Sequence, residues 1–426
     1  MKEEIRMSGG VITLFEDRKT KVNLSHSQIN DILFFKNLLG SQCISLDYDG
    51  SLQIMHYVGF ISRGTTRVQI LPKIYENAGI SGTVEIREST KVLYNLLRVS
   101  NYNKVLHLPE SFKSGLEEID LLEIFIGIFA DRVFRTYSTK MNREYLEIEE
   151  NSAFVKGKIS FPKTMKHNLL RKDLHYVNYQ SFEHDNVINN VVKTVAIRLM
   201  EYTRDAENKK NLKKALMFLD DAKQIELSLP LIQSVKFTRL NMEFESVYNM
   251  AKMFYLNLQP ENFAGDESVF SFLIPVNDLY EHYLYKLFSE IDGYQAKHED
   301  VRSFARAEDG RNVLRVKPDI LVFKDNVIAL VADAKYKNPC FNKGLYTNIS
   351  RDDIYQVFAY SKVYGVQKTA LIYPLFDDIP SPISRVVLKD NDGEVELNIL
   401  CVDIKNNNFE EVKAQLKAEL LQESSG

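Results

Sequence analysis

The sequence predicts a multidomain protein of mixed α/β and α+β class, with a β-rich N-terminal domain, a helical middle, and a C-terminal domain whose mixed central sheet is flanked by helices. Three observations carry this. Short alternating runs between turn signals fill the beginning, apolar residues recur at helical spacing through the middle, and strands alternate with helices in the last third. At 426 residues the chain is too long for one simple core, so two or three domains are expected. Their expected extents are 1–105, 106–265 and 266–426.

Between Val11 and Tyr75 the runs VITLF, CISLDY, LQIMHYVGFI and TRVQILPKIY are separated by Asp49-Gly50 and Arg63-Gly64. Asp-Gly between alternating runs is a strong hairpin signal, so this part reads as β. Apolar spacing predicts helices over 115–137, 185–204 and 210–219, with one strand in FVKGKISF (154–161), and a close near Pro260–Asp266. The last third predicts a helix over 278–291, strands over 313–323 and 327–336, a helix over 354–363 and a strand over 370–373. Strands around Val386 and Leu397 and a closing helix follow. The only low-complexity stretch is the tail LLQESSG.

The apolar fraction of 45% and charged fraction of 26% belong to an ordinary globular protein and exclude disordered and fibrous classes. MKEEIRMSGG lacks a signal peptide's apolar region, and no run of about 18 uncharged apolar residues occurs, so no membrane span and a cytoplasmic location are expected. Cys43, Cys340 and Cys401 have neither disulfide-framework nor zinc-ligand spacing. A net charge of −4 is unusual for a protein that grips nucleic acid unaided, so a local basic surface or another subunit would supply the hold. No G-x-x-x-x-G-K-[ST] loop occurs, so the chain shows no nucleotide triphosphate site of its own.

The chemistry concentrates in VKPDILVFKDNVIALVADAKYK, residues 316–337. Along a regular strand Val327, Ala329, Val331, Asp333 and Lys335 share one face. A two-residue turn at Asp325-Asn326 pairs residue 319 with 332 and aims Asp319 at the wrong face; a three-residue loop or a bulge sets it opposite Asp333. Directly opposed residues have Cβ atoms about 5 Å apart, close enough for both carboxylates to hold one divalent ion. Metal binding here therefore predicts an irregular turn at 324–327. Mg2+, with Mn2+ as substitute, fits such oxygen ligands, and Lys335 beside them suits orienting a water or neutralising charge on phosphorus.

Pro-Asp followed by an acid, any residue and a lysine resembles the PD-(D/E)xK nuclease superfamily. That resemblance implies Asp319, Asp333, Lys335 and Glu281 as catalytic residues, with Asp319, Asp333 and Glu281 on the metal; Asp278 and Glu290 compete with Glu281. Gln356 and Tyr360 share a helix face, and a Gln-x-x-x-Tyr helix after the lysine resembles the extra motif of RecB-type nucleases.

VADAKYK with DIYQVFAYS and ALIYP, together with ILPKIY, VKGKISF and HDNVINNVVKTV upstream, resembles the McrC family, the nuclease subunits of McrBC-type modification-dependent restriction systems, over about 58–374. The resemblance implies DNA as substrate and a GTP-hydrolysing AAA+ ring of McrB type as partner, docked through the N-terminal and middle parts and stimulated by this chain. Arg63 and Arg67, near the Gly64 turn, are candidate partner contacts. Asn189 and Lys193, four apart on a helix, are expected mainly in structural support. The histidines show no ligand spacing. A stand-alone RecB-like exonuclease or repair nuclease, and a non-catalytic adaptor of an AAA+ motor, remain alternatives.

Overall fold

A computed structural model describes residues 10–40, 42–76, 78–100, 102, 108, 120–257, 269–339, 341–342, 345–346, 349–376, 384–390 and 393–421. Cys340, the tail, the N-terminal segment, the close at 260–266 and the start of the helix expected from 115 lie outside these residues. The chain divides into two compact units, residues 1–121 with 260–426, and residues 122–259. The second nearly coincides with the expected helical middle. The segments expected as separate first and third domains share the first unit.

The first unit begins with β1 (Val11–Phe15), β2 (Thr20–Lys21), α1 (His26–Leu39), β3 (Ile44–Leu46), β4 (Ser51–Ile54), β5 (Tyr57–Arg63), β6 (Thr66–Leu71) and α2 (Gly82–Val99). Helix α1 was not anticipated in this part, which was expected to be β-rich. Ser25 caps it in a capping box with Gln28, whose side chain returns a bond to the Ser25 amide, satisfying end groups that the helix itself cannot. Ile32 and Phe35 then pack with Leu14, Ile44, Leu52, Ile54 and Ile70. That core, rather than a strong periodic stripe, makes the helix worth forming.

The second unit comprises α3 (Leu121–Thr139), β7 (Glu144–Ser152), β8 (Lys158–Ile159), α4 (Phe161–His167), β9 (His175–Glu183), α5 (Val187–Tyr202), α6 (Ala206–Met217), α7 (Leu229–Ser234) and α8 (Glu245–Asn257). The strand expected over 154–161 shrinks to β8, on the edge of a β7-β9-β8 sheet. The flanking β7 and β9 escaped notice because their alternation is polar against half-buried rather than apolar against polar. Asn189 accepts the Tyr137 hydroxyl at 2.8 Å and donates to the carbonyls of Asn142 and His184. Lys193 clamps the carbonyls of Asp220 and Ala222 at 2.9 and 2.8 Å. Both therefore hold loops in place, as expected of structural support.

The first unit resumes with β10 (Val269–Pro275), α9 (Val276–Ser289), β11 (Gln295–His298), β12 (Arg302–Arg306), β13 (Asn312–Val316), β14 (Ile320–Lys324), β15 (Val327–Ala334), β16 (Phe341–Asn342), β17 (Leu345–Tyr346), α10 (Arg351–Tyr364), β18 (Lys368–Pro374), β19 (Ser384–Asp390), β20 (Gly393–Val402) and α11 (Phe409–Leu416). Strand β10 pairs antiparallel with β5 and completes a β1-β6-β5-β10 sheet, which is why the chain's two ends share one unit. Gly59 permits this pairing, since a Cβ there would sit 2.0 Å from the Phe272 carbonyl oxygen.

The second large sheet runs β11-β14-β15-β18-β20-β19, parallel at β15-β18 and β18-β20 and antiparallel elsewhere. It is the mixed sheet expected. Val357 and Tyr360 of α10 pack on Leu321, Val331, Leu371 and Leu397. The strand expected over 313–323 is two strands, split at Lys317-Pro318-Asp319, where Pro318 has no N–H for a ladder. The first of them, β13, instead closes a separate hairpin with β12. Among the described residues no helix is long and apolar enough to cross a membrane.

Candidate active site

The β14–β15 hairpin turns through Asp325 and Asn326, both at positive φ, 50° and 64°, as a type I′ turn requires. Lys324 accordingly pairs with Val327 and Phe323 with Ile328. Continued regularly, this register would set residue 319 against 332 and aim Asp319 away from Asp333. It shifts instead: Val322 pairs with Leu330, Leu321 with Val331 and Ile320 with Ala332, leaving Ala329 as a bulge. One step beyond Ile320, Asp319 thus arrives at Asp333. The irregularity lies in the strand and not in the turn. It also corrects the expected face, because Ile328 rather than Ala329 joins Val331 and Asp333, and Val327 is exposed.

Asp319 Oδ2 accepts the Ala334 N–H at 2.7 Å, fixing its carboxyl across the end of β15. Asp333 is only 1% exposed. The Lys335 ammonium forms an ion pair with its Oδ2, yet no donor is aligned on that oxygen as a hydrogen bond. The Lys335 N–H donates to the Ile372 carbonyl of β18 at 2.9 Å, so the lysine's backbone remains tied to the sheet.

Helix α10 supplies the next layer. Lys335 Nζ donates to Gln356 Oε1 at 3.0 Å, Gln356 Nε2 to the Tyr360 hydroxyl at 2.6 Å, and that hydroxyl to the Lys317 carbonyl at 3.0 Å. This chain orients the amide so that its oxygen faces the ammonium. Gln356 and Tyr360 thereby act in series on one lysine. Asp353, one turn earlier, lies 3.9 Å from Lys335 and is paired with Lys337. Sequence reading missed both, though the K-x-K spacing of Lys335 and Lys337 was visible.

From α9, Glu281 enters the same corner. Its carboxyl is raised to about 7 by burial, then by Asp278, Asp333 and Glu299. Glu290 is excluded from that role by its ion pairs with Lys286 and Lys413 at the far end of the helix. Glu281 also shares a cluster with His298 and Glu299, whose ligand atoms all lie within 4.8 Å of one another. The histidines show no ligand spacing in the sequence, yet His298 joins this cluster. The fold brings it there from the end of β11, and no local spacing signals it.

Burial raises Asp319 to about 8, with the charges of Asp333 and Glu281 adding to it. Burial raises Asp333 as well, opposed by Lys335. For Lys335, burial pulls the ammonium down, but Asp333, Asp319 and Asp353 outweigh it and the net shift is upward. Asp319, Asp333 and Glu281 thus crowd a largely buried corner in which Lys335 meets Asp333 and Asp319, and the acids make one another's ionisation more costly. A divalent cation at Asp333 would meet its unaligned, buried Oδ2 and offset the excess negative charge, while the three ligand groups that converge within 4.8 Å are Glu281, His298 and Glu299.

Arg63 and Arg67 are not the exposed cations expected of a basic turn. Arg67 is 5% exposed and pairs with Asp120 at 2.7 Å. Arg63 lies 3.6 Å from Asp31 and stacks on the Phe34 ring at 4.2 Å. Each was drawn inward by an acid distant in sequence, which the turn motif does not show.

Comparison with known proteins gives a consistent picture. Residues 52–374 match the family model for the McrBC 5-methylcytosine restriction system component. A chain in the half-complex of the tetradecameric assembly of Thermococcus gammatolerans McrB AAA+ hexamers with bound McrC is similar in fold, with a TM-score of 0.73 and 18% identity over 96% of this chain and 99% of that one. A chain of the Thermococcus gammatolerans McrBC complex is also similar, with a TM-score of 0.52 and 20% identity over 66% of this chain and 87% of that one. No curated protein matches.

Proposed function

The chain belongs to the McrBC 5-methylcytosine restriction system component family, and from that premise we propose that it is the DNA endonuclease subunit of a modification-dependent restriction complex. In this reading it cleaves phosphodiesters with Mg2+ and docks to, and stimulates, a GTP-hydrolysing AAA+ partner of McrB type. The observation that carries the nuclease assignment is the bulge at Ala329, which sets Asp319 against Asp333 beneath Lys335. The partner assignment is supported by the fold shared with a chain of the McrB–McrC assembly.

Asp319, Asp333 and Glu281 would hold the ion through carboxylate oxygens. Mg2+ when bound activates a water and neutralises charge on the phosphate, and Mn2+ serves similarly. Asp319 and Glu281 must lose the protons that burial favours, so occupancy rises with pH. Lys335 is held by Gln356 facing the acids, where its ammonium orients the attacking water and balances charge that develops on the phosphate oxygens. Tyr360 limits Gln356 to the one amide orientation that accepts from Lys335.

The test is cleavage of methylated duplex DNA with Mg2+, GTP and an McrB-type partner, comparing the wild type with Asp333→Ala. Cutting should fall by at least about a hundredfold, since a ligand and not merely its support is lost, while stimulation of the partner's GTPase persists. Equal cutting by both proteins sinks the site. Cutting without any partner favours the stand-alone nuclease.

A further inference from the structure

The β12–β13 hairpin is not part of the large sheet and forms a two-stranded wing by itself. Residues 302–317 carry five basic side chains against two acidic ones, in a chain whose net charge is −4. The base of the wing is fixed to the candidate site on both sides. Glu299, just before it, donates its N–H to the Asp319 carbonyl at 3.2 Å and pairs with Lys317 at 2.6 Å. Val316 packs in the core with Tyr360, and the Arg302 guanidinium lies 4.2 Å over the Tyr364 ring. The far end closes in the turn at 307–310.

Arg302 and Arg311 are engaged by Asp300 and Asp309. Arg306 and Arg315 are exposed and have no acid partner among the described residues. Between them Phe304, Val313 and Leu314 are half or more exposed. A strand pair this long extends about 17 Å from its base, at about 3.4 Å per residue. Unpaired guanidiniums interleaved with apolar side chains suit phosphates and the sugar and base edges of a groove. Where an acidic chain contacts DNA itself, a local surface of this kind supplies the hold.

We propose that the β12–β13 wing is this chain's own grip on double-helical DNA, with Arg306 and Arg315 meeting backbone phosphates beside the carboxylate corner. The inference rests on the nuclease reading for its substrate but concerns binding rather than cutting.

The experiment is fluorescence anisotropy of the full-length chain with a labelled duplex oligonucleotide, magnesium withheld, in KCl from about 50 to about 200 mM. The doubly substituted Arg306→Ala/Arg315→Ala protein should bind roughly tenfold or more weakly, with the slope of log affinity against log salt reduced by roughly two. Arg306→Lys/Arg315→Lys should retain most of the slope, because the charge survives. In the cleavage assay the alanine pair should raise KM and leave kcat unchanged. Unchanged affinity and slope overturn the proposal, as does failure of the wild type to bind. Unchanged DNA affinity with lost association to the AAA+ ring overturns it too, assigning the wing to a protein. Asp333→Ala should bind DNA like the wild type. Its cutting normally while the arginine pair loses binding would remove the nuclease site and leave the grip standing.

Discussion

Two hairpins of the first unit bury charge near their ends, and they do so in opposite ways. In β5–β6, Arg63 meets Asp31 and Arg67 meets Asp120, each cation facing an acid, and the Thr66 hydroxyl also donates to Asp31. In β14–β15, Asp319 and Asp333 share the ammonium of Lys335, Glu281 adds a further acid beside them, and Asp319 and Glu281 are raised far above ordinary carboxylates. Balanced burial is architecture. Unbalanced burial is held in place by the surrounding fold and becomes tolerable when a cation, a proton or a ligand completes it.

The contrast is sharpest when one partner is removed. Arg67→Ala removes the guanidinium that meets Asp120, and losing one side of a buried pair costs about 3–5 kcal/mol, so denaturant unfolding should show the largest loss of stability of any change considered. Cleavage per folded molecule should be unaffected. A small stability change there would mean that the pair is not the balanced unit described.

Gln356→Ala should act oppositely, leaving stability nearly unchanged and lowering kcat by about 10–100-fold through a loosened Lys335. Tyr360→Phe keeps the ring and releases the amide, and should lower kcat less. An equal loss in both variants would show that the amide's orientation, and not its presence, is what the lysine needs.

The smallest effect concerns protons. Asp319 is raised from 3.8 to about 8, so the metal-free fold retains a proton that the unfolded chain has released. That contribution is fully present below about pH 4 and is lost as the pH rises through about 8. In chelator, wild-type melting temperature should therefore fall across this interval. Asp319→Asn should flatten the fall and melt a few degrees higher at its alkaline end, on the order of 1 kcal/mol. Added Mg2+ should raise the wild-type melting temperature most at that alkaline end and leave the variant unmoved. A parallel pH profile for the two proteins would break the account of unbalanced charge.

Much of the candidate site was legible because it is built from local spacing. Asp333 and Lys335 sit two apart at a strand end, and Gln356 and Tyr360 four apart on a helix, so one period or the other places each pair. Glu281 was legible as a residue on a helix, but its preference over Asp278 and Glu290 required seeing Lys286 and Lys413 claim Glu290. His298 and Glu299 were not legible, since a strand and its pairing partner bring them to Glu281 across 17 positions of sequence. Helix α1 was hidden for a similar reason, its stability coming from a core assembled by six separate strands.

The sequence by itself determined the mixed class, the main helices of the last third, the acid-and-lysine motif and the family, because each depends on residues that are neighbours in the chain or keep a short period along it. Only the tertiary structure decided the register that makes the motif a site. A two-residue turn points Asp319 the wrong way, and one unpaired alanine in the facing strand reverses that for every residue beyond it. The same level of organisation decided that Arg67 is spent on an acid 53 positions away while Arg306 and Arg315 are left outside. Periodicity tells a side chain which face it occupies; pairing across the sheet tells it what it meets there.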